Sequence, residues 1–171
     1  MVQLIMLMIS VSFGQPVIFD QVTSDKNFNL IEDFEKDKGA FRSDEFDLSC
    51  HSTEGGQLTA FHNKDKAYLV FDIWIYGETG KIHATYWTDK NLNFKIVKRT
   101  DFKYDKPFYE KDFKVTETTE YLSYHSDRMR LYDSERKDLS NSLTIEKKKE
   151  YEEFFQEITK DLKIGSERHR P

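Results

Sequence analysis

The feature that most constrains the fold is a two-residue alternation of apolar and polar side chains between Leu58 and Arg99. Successive side chains of a strand point to opposite faces, so this alternation is typical of strands with one buried face. Short connections at 63–66, 77–80 and 89–91 interrupt it with Asn, Asp or Gly. Connections of this length join antiparallel neighbours and are too short for a parallel crossover. The sequence therefore predicts a β-meander.

The alternation predicts four strands here, and weaker alternation predicts two more after the loop that contains Pro107. The predicted strands are Gln57–His62, Ala67–Tyr76, Lys81–Thr88, Leu92–Thr100, Val115–Tyr124 and Arg128–Tyr132. Within them, Gly56-x-Leu-x-Ala recurs 24 residues later as Gly80-x-Ile-x-Ala. We interpret each glycine as a left-handed or strained turn residue, and the repeat as two hairpin units with no chemistry attached.

Two segments carry helical spacing instead. Apolar residues recur every three or four positions from Leu143 to Leu162, with Ser142 as a candidate cap and Gly165 as a stop. A shorter helix is predicted at Asn29–Lys38. The predicted fold class is α+β: an antiparallel β-meander of about six strands with a C-terminal amphipathic helix and a short N-terminal helix.

The N-terminal segment Met1–Gly14 contains no charged residue. Its apolar run is shorter than the roughly 20 residues needed to cross a bilayer. A short, uncharged apolar run of this kind is typical of a signal peptide. We predict cleavage after Gly14, one α+β domain over 15–165, a flexible tail over 166–171, and no transmembrane segment in the mature chain. The predicted localisation is exported, either periplasmic or extracellular. The single cysteine, Cys50, excludes an intrachain disulfide, so burial alone must stabilise the domain.

The composition limits the possible partners and cofactors. Fourteen Phe, nine Tyr and two Trp supply apolar area, and a net charge of −5 gives no basic footprint for nucleic acid. The five histidines are dispersed, so we predict no metal site and no cofactor. Cys50-His51 is the only suggestive nucleophile pair, but adjacent strand side chains diverge, and we assign it no catalytic role.

Two-residue periodicity assigns the strand residues to two faces. The apolar face, predicted to be the core, comprises Leu58, Ala60, Leu69, Phe71, Ile73, Ile75, Ile82, Ala84, Tyr86, Leu92, Phe94 and Ile96. The second face mixes aromatic and charged groups that can contact a ligand. Its candidate ligand-binding residues are Tyr68, Asp72, Trp74, Tyr76, His83, Trp87, Lys95 and Arg99. The alternative is that a helix or the 103–114 segment covers these rings as a second core, with Asp72 paired to Lys81 or Lys95.

Three functional hypotheses follow, and no catalytic residue is assigned. The first is a non-enzymatic exported domain that binds a protein, peptide or carbohydrate-like ligand on the aromatic and charged face. The second is a hydrolase-type enzyme with Asp72 and His83 in a pocket between the sheet and the C-terminal helix. The third is an inhibitor or immunity-type protein that acts through an edge strand free of protecting Lys or Pro.

The apolar segment ending Ser-Phe-Gly-Gln15, followed by Glu54-Gly-Gly-x-Leu and by Tyr76-Gly-Glu-Thr-Gly-Lys81 at successive hairpins, resembles small exported β-meander proteins. The spacing is also similar to that of hairpin arrays of the MORN type, although the characteristic Tyr-x-Gly pairs are absent. The resemblance implies meander topology and export. It implies no activity and no residue role.

Overall fold

Seven antiparallel strands form one sheet whose spatial order is their order in the chain, β1 to β7. The structure, a computed structural model, describes residues 25–160 and Leu162. The predicted signal peptide 1–14, the stop at Gly165 and the tail 166–171 lie outside the described residues. The elements are α1 (Phe28–Asp37), a 3₁₀ turn (Lys38–Ala40), β1 (Arg42–Asp47), β2 (Gly56–His62), β3 (Tyr68–Gly77), β4 (Gly80–Asp89), β5 (Phe94–Tyr104), β6 (Val115–Tyr124), β7 (Met129–Tyr132) and α2 (Leu143–Thr159).

The α+β fold class and the antiparallel meander with its two helices are confirmed, with seven strands where the sequence predicted about six. The strand that sequence analysis missed is β1. It contains four charged residues and one apolar residue, Phe46, so it shows no apolar alternation. It forms because β2 supplies a complete antiparallel partner, in the register Arg42↔His62 to Asp47↔Gln57.

The helix α2 covers one face of the sheet, which we call the α2 face. Tyr151, Phe155 and Ile158 of α2 are buried in one cluster with the strand residues Leu58, Ala60, Phe71, Ile73, Ala84, Tyr86, Val97, Leu122 and Leu131. This is the core face predicted from periodicity between Leu58 and Tyr86. Leu143, predicted to point inward, is 51% exposed. Ser142 makes no side-chain cap; instead, the side chain of Asn141 accepts the N–H of Leu143 at 2.8 Å.

The helix α1 lies on the opposite face, which we call the α1 face, and covers only part of it. Phe28 and Phe34 of α1 pack with Tyr68, Val70, Trp87, Ile96 and Tyr132. Phe34 makes edge contacts with Phe61, at 5.1 Å between ring centroids, and with Trp87, at 6.2 Å. Lys66 holds the exposed side of α1 through Asp33 at 2.8 Å. The alternative of a second core is therefore correct for one half of this face.

A β-bulge in β5 alters the predicted face assignment. Thr88 pairs with Phe94, but the preceding residue Trp87 pairs with Ile96, so Lys95 is the extra residue. The insertion reverses the alternation after Phe94. Ile96, predicted to lie with the core face, consequently packs in the α1 cluster, and Val97 packs beneath α2.

The two repeated glycines have a different role from the one predicted. Neither Gly56 nor Gly80 has a positive φ; in the described residues the one glycine that has is Gly55, with φ of 74°. A Cβ at Gly56 would lie 2.5 Å from the carbonyl oxygen of Trp74, and a Cβ at Gly80 would collide with the carbonyl oxygen of Phe102. The glycines therefore permit close approach of neighbouring strands, and the repeat marks the starts of β2 and β4.

Candidate functional site

The part of the α1 face that α1 leaves uncovered is the best candidate for a functional site. We call it the open strip. It comprises Asp72, Trp74 and Tyr76 of β3, Lys81 and His83 of β4, and Phe102 of β5. These residues are cross-strand neighbours, because Asp72 pairs with Thr85, Trp74 with His83 and Tyr76 with Lys81, and Lys81 in turn pairs with Phe102. Strand pairing alone therefore brings residues from three strands into one surface.

Four of the eight predicted ligand-binding residues lie together in the open strip: Asp72, Trp74, Tyr76 and His83. Tyr68 and Trp87 lie on the same face but are sealed under α1, with exposed fractions of 6% and 1%. They cannot contact a ligand on this surface while α1 remains docked.

Lys95 and Arg99 are separated from the open strip by the bulge. Lys95 is the bulged residue itself and approaches Asp89 at 3.5 Å. Arg99 pairs with Ala84 on the α2 face, where its guanidinium contacts Asp101 at 3.0 Å and Glu150 at 3.1 Å. The placement of Arg99 on the same face as Trp74 is therefore wrong, because one inserted residue turned its side chain beneath α2.

Asp72 and His83 form a close cross-strand pair. The distance between Oδ1 of Asp72 and Nε2 of His83 is 2.6 Å, and the Thr85 hydroxyl donates to the same oxygen at 2.9 Å. Burial by itself would raise the pKa of Asp72, but its hydrogen bond with His83, the charge of His83 and the Thr85 hydroxyl outweigh it, so the pKa lies below its usual value. The predicted partners Lys81 and Lys95 do not contact this carboxylate: Lys81 lies over aromatic rings and Lys95 at the β4–β5 turn.

The aromatic rings of the open strip are held in fixed, nearly parallel arrangements. Trp74 stacks on the imidazole of His83 with 3.9 Å between ring centroids and 9° between planes. Tyr76 and Phe102 follow at 6.1 and 6.3 Å from the indole. The ammonium of Lys81 lies 5.0 Å from the Trp74 ring centroid and 4.6 Å from that of Phe102. These cation–π contacts and the stack preorganise the surface.

Sequence analysis missed Phe102 as a member of this surface. The predicted strand ended at Thr100, whereas β5 continues to Tyr104. A signal was present, because Phe102 keeps the two-residue spacing from Thr100 on the same face. The bulge at Lys95 obscured this signal, because it changes the alternation of apolar and polar residues before Thr100.

The open strip does not contain the parts of a hydrolytic centre. In the described chain, the only side-chain hydrogen-bond partner of His83 is Asp72, so no hydroxyl or thiol nucleophile is paired with the imidazole. Asp72 and His83 lie on the face opposite α2, so they share no pocket with that helix. Cys50 is exposed in the β1–β2 connection, apart from both.

A second grouping, Asp25, Ser123 and His125, contains the residue types of a catalytic triad but not its geometry. A triad needs the carboxylate and the serine on different imidazole nitrogens. Here Asp25 at 2.8 Å and Ser123 at 3.2 Å both approach Nε2 of His125. The Ser123 hydroxyl is fully buried and accepts a hydrogen bond from Asn27 at 2.8 Å. The cluster therefore anchors the start of α1 to β6.

An open depression of about 600 Å³ adjoins the open strip at Tyr76. Its wall includes the carboxylate residues Glu45 and Asp47 of β1 and Glu54 of the following turn. In residues 25–160 and Leu162, no group of three or more His, Cys, Asp or Glu is arranged to hold a metal ion. No helix within that same part of the chain has the length and apolarity needed to cross a bilayer.

Comparisons with protein-family models, with curated proteins and with solved structures give no significant match to this chain. The resemblance to exported meander proteins therefore stays a prediction.

Proposed function

We propose that this protein is an exported, non-enzymatic binding domain that holds a peptide segment of a partner protein on its open strip. The observation that carries the proposal is the rigid stack of Trp74, His83 and Tyr76 on a sheet face that α1 covers only in part. A half-covered face with aromatic side chains is a common feature of interaction surfaces. The export part of the proposal depends on the composition of Met1–Gly14.

The arrangement of the rings favours a peptide over a carbohydrate. A sugar stacks on the open face of a flat aromatic ring, but one face of the Trp74 indole already contacts His83. The Lys81 ammonium takes up further space over the same ring. Tyr76 is 39% exposed, and Asp72 and Lys81 beside it are partly exposed. Aromatic side chains beside charged groups suit a mixed apolar and polar peptide.

The hydrolase-type alternative receives no support from this geometry. Its named residues, Asp72 and His83, are paired to each other on the α1 face, and the imidazole contacts no nucleophile in the described chain. Their close bond and the stack on Trp74 explain the position of both side chains as parts of a surface.

The proposal can be tested by selecting displayed peptides on the purified protein and measuring the affinity of the selected peptide by titration calorimetry. We expect Trp74→Ala combined with Tyr76→Ala to weaken binding by at least about tenfold, because central aromatic residues dominate interface energies. The matched control is Leu143→Ala with Ile145→Ala, which removes two exposed apolar residues on α2. Circular dichroism establishes that both variants are folded.

The contrary outcome is equally specific. If selected peptides keep their affinity for the Trp74 and Tyr76 variant, and lose it for the Leu143 and Ile145 variant, the open strip is not the binding surface. The proposed function then fails.

A further inference from the structure

In the part of the chain that the structure describes, β1 leaves its whole outer edge unpaired, and β6 leaves a shorter stretch, Val115–Glu120, unpaired because β7 reaches only Tyr121–Tyr124. The other outermost strand, β7, is closed by the segment that follows it, because the N–H of Leu139 donates to the carbonyl of Leu131 at 2.7 Å. No described residue forms a ladder with the outer side of β1. Arg42, Ser43, Asp44, Glu45 and Asp47 are all exposed.

The pairing alternation identifies the outward backbone groups. The N–H of Leu48 donates to the carbonyl of Gly56 at 3.0 Å, which makes Leu48 and Gly56 a hydrogen-bonded pair. In an antiparallel ladder such pairs alternate, so Arg42, Asp44 and Phe46 also direct their backbone groups toward β2. The N–H and C=O groups of Ser43, Glu45 and Asp47 consequently point away from the sheet, as an unfilled template for another strand.

The charges along this edge are mostly negative. Glu45 and Asp47 point to the α1 face, since they pair with Thr59 and Gln57 and thus lie in the rows of Asp72 and Trp74. Asp44 lies on the other face, 3.8 Å from His62, and Arg42 is the one basic residue of β1. The depression at the end of the strand adds the carboxylate of Glu54.

We propose that β1 accepts an extended basic segment of a partner protein by β-strand addition, as an eighth strand of the sheet. The outward backbone groups of Ser43, Glu45 and Asp47 supply the ladder, and the carboxylates of Asp44, Glu45 and Asp47 select basic side chains. The ladder would form on the outer side of β1, which β2 separates from the β3 residues of the open strip, so the inference does not depend on the proposed function.

A second copy of this chain is a poor occupant of the same edge. Because only Ser43, Glu45 and Asp47 have outward backbone groups, the symmetric antiparallel registers place either Glu45 opposite Glu45 or Asp44 opposite Asp44 of the other copy. Like charges directly opposite each other destabilise a strand pair. The acidic residues thus oppose self-association through β1 and attract a basic strand, which is a form of specificity by repulsion.

The register specifies a probe peptide. An antiparallel strand with the sequence Lys-Val-Lys-Lys-Thr-Glu places lysines opposite Asp47, Glu45 and Asp44, valine opposite Phe46 and glutamate opposite Arg42. The charge-reversed control is Glu-Val-Glu-Glu-Thr-Lys, which keeps the strand propensity. Both peptides carry acetyl and amide caps, and amide chemical shifts of the ¹⁵N-labelled protein report binding and its location.

We expect the basic peptide to shift the amide signals of Ser43, Glu45 and Asp47, and to bind at least about tenfold more tightly than the charge-reversed peptide. Its affinity should fall as salt is added. An equal affinity for the two peptides, or shifts confined to the open strip, would overturn the proposal. The proposal would also be overturned if light scattering showed that the protein alone forms a dimer and that Glu45→Lys alters this dimer. The occupant of the edge would then be a second copy of the chain.

Two N-methylated peptides separate strand pairing from simple charge attraction without altering the protein. Methylation of the lysine opposite Glu45 removes an N–H that faces β1, and should weaken binding at least about tenfold. Methylation of the lysine opposite Asp44 removes an N–H that faces away, and should change affinity by less than about threefold. Equal losses would show that no ladder forms, which contradicts the proposal.

A protein variant provides an independent check. Ser43→Pro removes one outward N–H while leaving the bonds between β1 and β2 in place, and proline is tolerated on edge strands. We expect it to weaken the basic peptide at least about fivefold with an unchanged circular dichroism spectrum. Should the variant misfold, the N-methylated pair still decides the question.

Discussion

Replacing Asp72 by asparagine tests whether the Asp72–His83 pair is an ionic structural contact. Asparagine keeps the size of the side chain and can accept from the Thr85 hydroxyl, but it removes the negative charge next to His83. Hydrogen bonds to charged groups contribute about 1.5–3 kcal/mol. Both side chains are 23% exposed, so solvent screening reduces this contribution. We expect Asp72→Asn to lower the free energy of unfolding by about 1–2 kcal/mol at pH 7.

The lowered pKa of Asp72 determines the pH range in which its carboxylate stabilises the folded protein. The folded protein holds the pKa of Asp72 below its usual value. The ionised carboxylate therefore contributes stability that is fully present above about pH 4 and is lost as the pH falls through the folded-state pKa. The difference between wild type and Asp72→Asn should be largest near neutral pH and should shrink below about pH 4.

The assay is urea unfolding followed by far-ultraviolet circular dichroism at pH 7, 5, 4 and 3. Circular dichroism is preferable to fluorescence because Trp74 lies beside the altered pair. Asp65→Asn, an exposed turn residue, is the matched control and should change stability by less than about 0.5 kcal/mol. A difference as large at pH 3 as at pH 7, or a variant as stable as wild type at pH 7, would refute the reasoning.

Two further substitutions test the turn chemistry and the docking of α1. Leu92 is 40% exposed and has φ of 65°, a left-handed backbone conformation that is strained for leucine. Leu92→Gly should therefore raise the free energy of unfolding, measured by urea titration, by about 0.5–1 kcal/mol. A destabilised variant would show that the backbone at Leu92 is not strained. Phe34→Ala should cost about 3–5 kcal/mol and expose Trp87 to acrylamide quenching, because Phe34 is buried against that indole. Phe108→Ala, at an exposed loop position, is its control, and a similar loss there would disprove the assignment.

The candidate site could be predicted in part. Asp72, Trp74, Tyr76 and His83 lie on β3 and β4, which are joined by a tight turn, so strand periodicity places them on one face. Their pairwise contacts also follow from the hairpin register. Arg99 and Lys95 lie beyond an inserted residue, and alternation carries no information across an unrecognised bulge. The adjacent apolar pair Ile96-Val97 was the one local sign of that change of face.

The open edge could not be predicted, because nothing in Arg42–Asp47 alternates between apolar and polar residues. Such a segment becomes a strand only when a neighbour supplies its hydrogen-bond partners, and β2 does so. The same dependence explains why its outward backbone groups were not anticipated. They are defined by the Leu48–Gly56 pair, which is a contact between elements.

The sequence by itself determined the meander and its apolar α2 face, because hydrophobic burial with a two-residue period and short turns leaves few other arrangements for Leu58 to Tyr86. Tertiary structure alone decided how far α1 extends over the opposite face, and therefore which of the aromatic residues are sealed. That extent depends on contacts between segments distant in the chain, such as Phe34 with Trp87 and Asp25 with His125. The pattern of apolar and polar residues within one segment does not indicate which residue of a distant segment each side chain contacts.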